Sequence, residues 1–460
     1  MMIPEQLENF LYLPAPNKKL NELIDDICQG ISVICTLPEQ INPVAFYSVI
    51  DKKCRKNGLS CEILDDDCDM LPENYIAQGY GIRISPGEQF SVEKFFDDDS
   101  IADVLIIKLS ELSSIMVQQW VRFLKKWSGY ARTYQARTKK FPKVLILITN
   151  QTELARKVKE DVYLKSYYFW GWFSTLELLL VAKSIVVEQG LTFEEGLWVE
   201  SVIVELAGTD PELFYWLFVH DRFTDTNTPE GMIQQSCELL IEFCKEKGWT
   251  KESISTLFDT GWNNWCKYNA FAKKRPLTPP QELDDLWHAG MADWNDGDGV
   301  FIHSAVLALM GDTATLEHRI WRGQIRVLFP VLDRIRKEIC KYLNWSYKQK
   351  WVTFCETHKD PYNPYDVTYQ NGITVTEYNV ITDFFRLNES NSQVLRGLWV
   401  NIDKLRQARN KLAHSEFLCW VEFSRLIKAV KKMEDWLMEI NGRKTALPPA
   451  RYRGAVSGAE

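Results

Sequence analysis

Apolar residues in the first third of the chain gather into short runs: Ile31 to Thr36, Ser60 to Leu64, Val104 to Ile107 and Val144 to Thr149. The last two are continuous rather than alternating, the pattern of strands covered on both faces. Longer stretches of mixed character, such as Met116 to Trp127, separate them. Strands alternating with helices predict a parallel sheet over residues 1–155. Beyond Arg156 the β pattern fades. Leu176 to Val187 and Glu195 to Leu206 repeat with a helical period, and Gly208–Thr209–Asp210–Pro211 ends one helix and starts another. Residues 156–272 therefore read as a helical domain.

Three prolines within Lys273 to Pro280 mark a linker, and residues 281–442 then read as a helical bundle. Leu316 to Tyr342 is its long helix, with Ile325, Leu328, Leu332, Ile335, Ile339 and Tyr342 at 3-4-3-4-3 spacing. Pro330 is expected to kink or interrupt it. Asp360 to Gly372 reads as a loop insertion, followed by helices at Gln393 to Lys411 and Glu416 to Glu439. Residues 443–460 read as a disordered tail. The fold class is α/β plus all-α: a nucleotide-fold-like sheet domain, a helical middle and a C-terminal helical bundle.

Composition narrows this picture. With 460 residues, 46% hydrophobic and 25% charged, the chain is an ordinary packed globular protein. Its net charge of −8 restricts any nucleic-acid contact to a local patch. Eleven cysteines, an odd number, read as reduced thiols in a cytoplasmic protein. The Met1 to Phe10 stretch carries Glu5 and Glu8 and has no leader character. Tyr167 to Val187 is the most apolar window, but Glu177 and Lys183 argue for a buried helix over a membrane span, so no membrane partner is expected.

The helix from Gln393 has Leu395, Leu398, Ile402 and Leu405 on one stripe, and the same spacing continues to Arg409 and Leu412. A guanidinium thus falls where an apolar side chain is expected, and a buried Arg needs an anion. His414 follows at the helix junction, and Ser415 reads as N-cap of the next helix. Arg409–Asn410–Lys411–Leu412–Ala413–His414 resembles the Arg-Asn-x-x-x-His signature of the HEPN superfamily, small helical bundles many of which are metal-independent ribonucleases. The resemblance spans roughly residues 300–442. It implies an endoribonuclease with Arg409, Asn410 and His414 as catalytic residues, RNA as substrate, and neither metal nor cofactor. The chemistry suits those residues. RNA carries its own nucleophile in the 2′-hydroxyl, histidine titrates near neutrality, and arginine offers a fork of donors to phosphate oxygens. The resemblance also implies a homodimer or higher oligomer through the C-terminal bundle, with a possible protein partner, in a toxin or anti-phage defence setting. Two alternatives stand beside this. Arg409 can snorkel past the bundle end with His414 as a junction cap, and the bundle can be a non-catalytic regulator or scaffold that dimerises or binds nucleotide.

The N-terminal runs resemble the core of a P-loop ATPase of the AAA+ or STAND type without its working residues. Leu37–Pro38–Glu39–Gln40–Ile41–Asn42–Pro43 stands where a phosphate loop would sit, no Gly-Lys-Ser/Thr occurs, and Lys108 stands where a Mg²⁺-directing Asp would follow the strand. ATP hydrolysis is not expected. Between Arg122 and Lys143 lie eight basic residues and no acidic one. Arg122, Lys125, Lys126, Arg132, Arg137, Lys139 and Lys140, interleaved with Phe123, Trp127, Tyr130, Tyr134 and Phe141, are RNA-binding candidates that would pair backbone contacts with ring stacking. A solvated helix is the alternative. Asp293 to Gly299 fails the register of a calcium loop and reads as a turn between helices. Cysteines and histidines lack metal-ligand spacing, and His318 joins the site only if packing brings it there.

Overall fold

A computed structural model of the chain describes residues 4–39, 41, 43–64, 70–80, 91–109, 112–220, 227–255, 276–296, 298–358, 367–370, 372–388 and 393–446. The chain forms two compact units. One comprises Met1–Gly190, Leu206–His220 and Cys237–Thr313, the other Leu191–Glu205, Asp221–Ser236 and Ala314–Glu460.

The first unit is built on the expected parallel sheet. Strands β1 (Ser32–Thr36), β2 (Cys61–Leu64), β3 (Val104–Leu109), β4 (Val144–Thr149) and β5 (Leu164–Tyr168) lie in the order β2-β3-β4-β1-β5. All neighbours run parallel, with Ile34 beside Leu147 and Ile106 beside Ile146. Every residue of β1 and β4 is buried, β4 through the continuous apolar run Val144–Ile148 and β1 with the polar Ser32 and Thr36 taken into the core as well. β5 lies within the segment expected to be helical. It is an edge strand with a half-exposed centre, Lys165–Ser166–Tyr167, so it lacks the apolar run that marks the inner strands.

Helices α1 (Pro4–Leu11), α2 (Pro14–Cys28), α3 (Pro43–Lys56), α4 (Pro72–Gly79), α5 (Val92–Asp97), α6 (Ser114–Thr138), α7 (Thr152–Lys157) and α8 (Thr175–Glu188) accompany the sheet. Next come α9 (Phe193–Trp198), a π turn at Val199–Ile203, α10 (Val204–Ala207), α11 (Pro211–His220) and α12 (Pro229–Glu246). Of these, α11 belongs to the first unit, α9 and the π turn to the second, and α10 and α12 have residues in each. Helix α13 (Asp284–His288), the antiparallel hairpin β6 (Ala292–Asn295) and β7 (Gly299–Ile302), and α14 (Ser304–Met310) complete the first unit. The Asp293 to Gly299 turn therefore joins strands, not helices. In this unit His303 donates or accepts at both ring nitrogens, Nε2 lying 3.0 Å from Asp210 Oδ2 and Nδ1 3.2 Å from the Ala305 N–H. Burial alone would raise the Asp210 carboxyl, but the His303 hydrogen bond and charge and the nearby Lys247 outweigh it and hold the group below its usual range. With both nitrogens engaged and the ring buried against Phe243, His303 is a packing residue.

The second unit is a bundle around α15 (Thr313–Tyr347), with α16 (Gln349–His358), the hairpin β8 (Val367–Gln370) and β9 (Ile373–Thr376), α17 (Tyr378–Asn388), α18 (Gln393–Ala413) and α19 (Trp420–Ala446). It takes in the chain from residue 314, not 281, and adds segments of the middle third. Helix α15 runs through Pro330 without interruption, because Pro330 is exposed and water can take the carbonyl that the ring deprives of its donor. Residues 367–370 of the expected loop insertion form strand β8, which pairs with β9 just beyond the insertion; residues 360–366 and 371, linker residues 273–275 and tail residues 447–460 lie outside the described residues. No helix among the described residues is long and apolar enough to cross a membrane.

A glycine sets the closest approach in the bundle. A Cβ on Gly323 of α15 would stand 1.7 Å from the Ser201 carbonyl oxygen in the π turn, so backbone meets backbone there. Gly323→Ala is expected to destabilise the protein by about 3 kcal/mol, at the upper end of overpacking costs, because neither backbone can step aside. Chemical denaturation of the two proteins checks this, and an unchanged midpoint would show that the helices are not in contact.

Candidate functional site

The site is built from the end of α18 and the start of α19. Leu398, Ile402, Leu405, Ala408 and Leu412 form the buried stripe of α18, and Phe423, Leu426, Ile427, Val430 and Met433 that of α19. The inward position after Leu405 thus belongs to Ala408. Arg409 lies beside the stripe, with 35% of its side chain exposed. Its guanidinium finds the required anion within the chain, in Glu377 just before α17, at 3.0 Å. Arg336 of α15 also faces Glu377, at 3.6 Å.

Helix α18 closes in a left-handed turn. The Glu416 N–H reaches back to the Lys411 carbonyl (3.0 Å) and the Ser415 N–H to that of Leu412 (3.3 Å). This is the pattern in which a left-handed residue ends a helix, and Ser415, at φ +64°, occupies that position. Ser415 is therefore not an N-cap. The chain needs four more residues before α19 begins, and the Cys419 N–H is met by Glu422 in the first turn of α19. Three side chains pin the junction: Trp321 Nε1 donates to the Leu412 carbonyl at 2.7 Å, Gln324 bonds the Leu418 backbone in both directions, and Lys411 pairs with Glu422 at 2.6 Å.

The His414 side chain projects from this fixed junction, exposed and with no hydrogen-bond partner on its imidazole among the described residues, while its backbone N–H donates to the Asn410 and Lys411 carbonyls. It lines a cleft of about 510 Å³ together with Asn410, Lys411, Lys404, Gln407 and Arg425, with Glu416 and Glu422 on the same wall. Arg409 is not part of that lining. Helix geometry explains the split: residues four apart share a face, as Asn410 and His414 do, whereas five residues rotate the side chain by about 140°. The structure thus brings Asn410 and His414 together and turns Arg409 toward Glu377. Lys404, Lys411 and Arg425 were not singled out from the sequence, although Lys404, Gln407, Lys411 and His414 recur at helical spacing and mark the same face. His318 is exposed at this end of the bundle too, its ring 5.0 Å from that of Trp321, whose indole bonds the last turn of α18.

In the first unit, the segment after β1 has its donors engaged. The N–H groups of Leu37, Glu39 and Ile41 donate to the carbonyls of Thr149, His288 and Pro38, at 2.9, 2.8 and 3.1 Å. Pro38 has no N–H, and Gln40 and Asn42 lie outside the described residues. A phosphate loop works by aiming free backbone N–H groups at oxygens, and these three point elsewhere. Lys108 is exposed near the end of β3.

Helix α6 resolves the basic run. Arg122, Lys125, Lys126, Arg132, Arg137, Lys139 and Lys140 are all exposed. Phe123, Trp127 and Tyr134 are buried, and Tyr130 packs on Phe96 at 5.1 Å. Phe123, Trp127 and Tyr134 therefore offer no stacking platform, and the half-buried Tyr130 accepts a hydrogen bond from the Arg137 guanidinium on its hydroxyl at 3.3 Å.

No family model matches the chain, and no curated protein does. Among solved structures, it is similar to Cdc6p from Pyrobaculum aerophilum, with 11% identity, a TM-score of 0.28, and coverage of 66% of this chain and 94% of that one. It is also similar to Drosophila ORC bound to DNA, with 11% identity, a TM-score of 0.25, and coverage of 95% and 73%. The N-terminal unit has a five-stranded parallel sheet with β4 between β1 and β3.

Two outcomes follow. Because its phosphate-loop counterpart lacks free donors in Leu37, Glu39 and Ile41, the purified protein should not turn over ATP; Mg²⁺-dependent hydrolysis lost on mutation of residues 31–43 would refute this. Ser415→Gly should stabilise the protein by about 1 kcal/mol, since glycine alone adopts the left-handed turn without cost. Thermal unfolding measures the gain, and a loss would contradict the assigned helix end.

Proposed function

We propose that the chain is a metal-independent endoribonuclease of HEPN type, acting through the cleft at the α18–α19 junction. The observation that carries this reading is the exposed, unpartnered imidazole of His414 on a rigid turn, flanked by Asn410, Lys411, Lys404 and Arg425. In this reading a phosphodiester lies along the cleft. His414 exchanges a proton with the 2′-hydroxyl or the leaving 5′-oxygen, and the cations hold the phosphate oxygens. Asn410, one turn before His414, orients the imidazole or the phosphate. Arg409 contributes its fork once RNA phosphate displaces Glu377, and a second copy of the bundle completes the two-residue site. The N-terminal unit then serves as a sensor or recruiter, in a toxin or anti-phage defence role supported by family resemblance alone.

A second reading has its own observation. The Arg409 guanidinium is already satisfied by Glu377, as in a bundle that uses this pair for packing and works as a non-catalytic scaffold.

Incubation with total RNA in EDTA separates the two. The nuclease should cleave and leave 2′,3′-cyclic phosphate ends. His414→Ala should abolish cleavage, by about 10²–10⁴-fold, while leaving the melting temperature unchanged, because the side chain is exposed and unpartnered. Arg409→Lys should rescue poorly compared with wild type, since a point charge does not replace the fork. An active His414→Ala protein, or cleavage that needs a divalent metal, would sink the nuclease reading. RNA left intact by the wild type would favour the scaffold.

A further inference from the structure

We propose that the outer face of α6 is a docking surface for the phosphate backbone of double-stranded nucleic acid, read through charge and without regard to base sequence. The inference does not rest on the nuclease reading, because α6 and the α18–α19 junction belong to different units.

Ser114 to Thr138 contains no acidic residue over 25 positions, in a chain whose net charge is −8. Its cations are not scattered. Arg122, Lys125, Lys126, Arg132 and Arg137 are spread over about 140° of the outward side of the helix, and Lys139 and Lys140 follow past the C-terminal turn. At about 1.5 Å per residue, the ridge from 122 to 140 runs roughly 27 Å. Like charges three and four apart, as at Arg122, Lys125 and Lys126, weaken a helix, so the fold gains nothing from this arrangement.

The fold also does little to neutralise it. Arg122, Lys125, Arg132, Lys139 and Lys140 have no ion pair among the described residues. Lys126 faces Glu73 of α4 at 3.7 Å and Arg137 faces Asp97 of α5 at 3.6 Å, both beyond hydrogen-bond length and both with exposed cations. The ridge is also pre-ordered. Trp120, Phe123, Trp127, Ala131 and Tyr134 anchor the opposite face in the core, and Trp127 Nε1 bonds the Lys143 carbonyl at 3.2 Å. Little side-chain or backbone ordering is left to oppose binding.

The direction of the rings selects the partner. Single-stranded nucleic acid is held by bases stacking on exposed aromatics; α6 buries Trp120, Phe123, Trp127 and Tyr134, and its half-buried Tyr130 is engaged by Phe96 and Arg137. A duplex hides its bases and presents a dense, regular row of phosphates, which a straight cationic ridge complements. A membrane surface fits less well, since the apolar face that would insert is committed to the core.

The test uses the full chain and probes without a 2′-hydroxyl, so that binding is read apart from any cleavage: a fluorescent DNA duplex, a 2′-O-methyl RNA duplex, a single-stranded oligonucleotide and vesicles of anionic phospholipid. Anisotropy titrations should show both duplexes bound more tightly than the single strand, with affinity falling steeply as salt rises. The Arg122→Gln, Lys125→Gln, Arg132→Gln variant should bind duplex at least tenfold more weakly and lose roughly 0.9 of log–log salt slope per phosphate contact removed. Lys431→Gln, an exposed cation on α19, should bind as wild type. Circular dichroism should be unchanged in both, because every substituted side chain is exposed. The proposal fails if the triple variant keeps its affinity and slope, if the single strand binds more tightly than the duplexes, or if vesicles bind through these residues and duplexes do not.

Discussion

The buried amide of Gln324 holds the C-terminal unit in register. It donates to the Leu418 carbonyl and accepts the Leu418 N–H, at 2.8 and 2.7 Å, from a side chain fully shielded from water. Two backbone groups of an irregular segment are thereby satisfied in the core, where each would otherwise lose its water without compensation. The link fixes where α18 must stop and where α19 can begin. Trp321, one turn earlier on α15, meets the last carbonyls of α18 from the same side. The exposed position of His414 follows from these constraints, because the chain between the two helices has no freedom to fold over it.

The same junction separates the two residues that the motif pairs. An arginine and a histidine five apart diverge on any continuous helix, and α18 remains helical to Ala413. Asn410 and His414 face the cleft while Arg409 meets Glu377. The structure shows Arg409 closed on a carboxylate within the chain; in the proposed nuclease reading an incoming phosphate takes that carboxylate's place. Exchange of one anion for another on a guanidinium fork keeps its hydrogen bonding satisfied in both.

In the N-terminal unit, charge and backbone hydrogen bonds work in the same direction. The segment after β1 turns three of its N–H groups onto carbonyls, including that of His288. Residues 276–303 are tied to this edge through Arg156 and Asp284, and through the Gly171 N–H and Asp293. These bonds hold the segment after β1 and residues 276–303 to the edge of the sheet. Its charged feature lies instead on the outer face of α6, backed by a cluster of Phe95, Phe96, Trp127 and Tyr134.

The inner strands β3 and β4 were legible in the sequence because burial on both faces demands continuous apolar runs, and β1 was legible as a short β-branched run bounded by polar residues. The long helix α15 and the α18–α19 pair were legible for a similar reason, since one buried stripe leaves a period of three to four. Also readable were the missing phosphate-loop lysine and the basic, acid-free stretch of α6. Edge strand β5 was hidden because half its side chains meet water, and the β8–β9 hairpin because its flanking sequence reads as a loop. The helix end at His414 was decided by tertiary structure: Ser415 is a favourable N-cap by type, but Gln324 and Trp321 hold the chain in a left-handed turn there. Sequence spacing placed Arg409 on the apolar stripe, yet i+3 and i+4 are equivalent along a chain, and only packing chose Ala408 for the core and left the guanidinium to Glu377. The direction of the α6 rings was settled in the same way, by which face of the helix the sheet and α5 could cover.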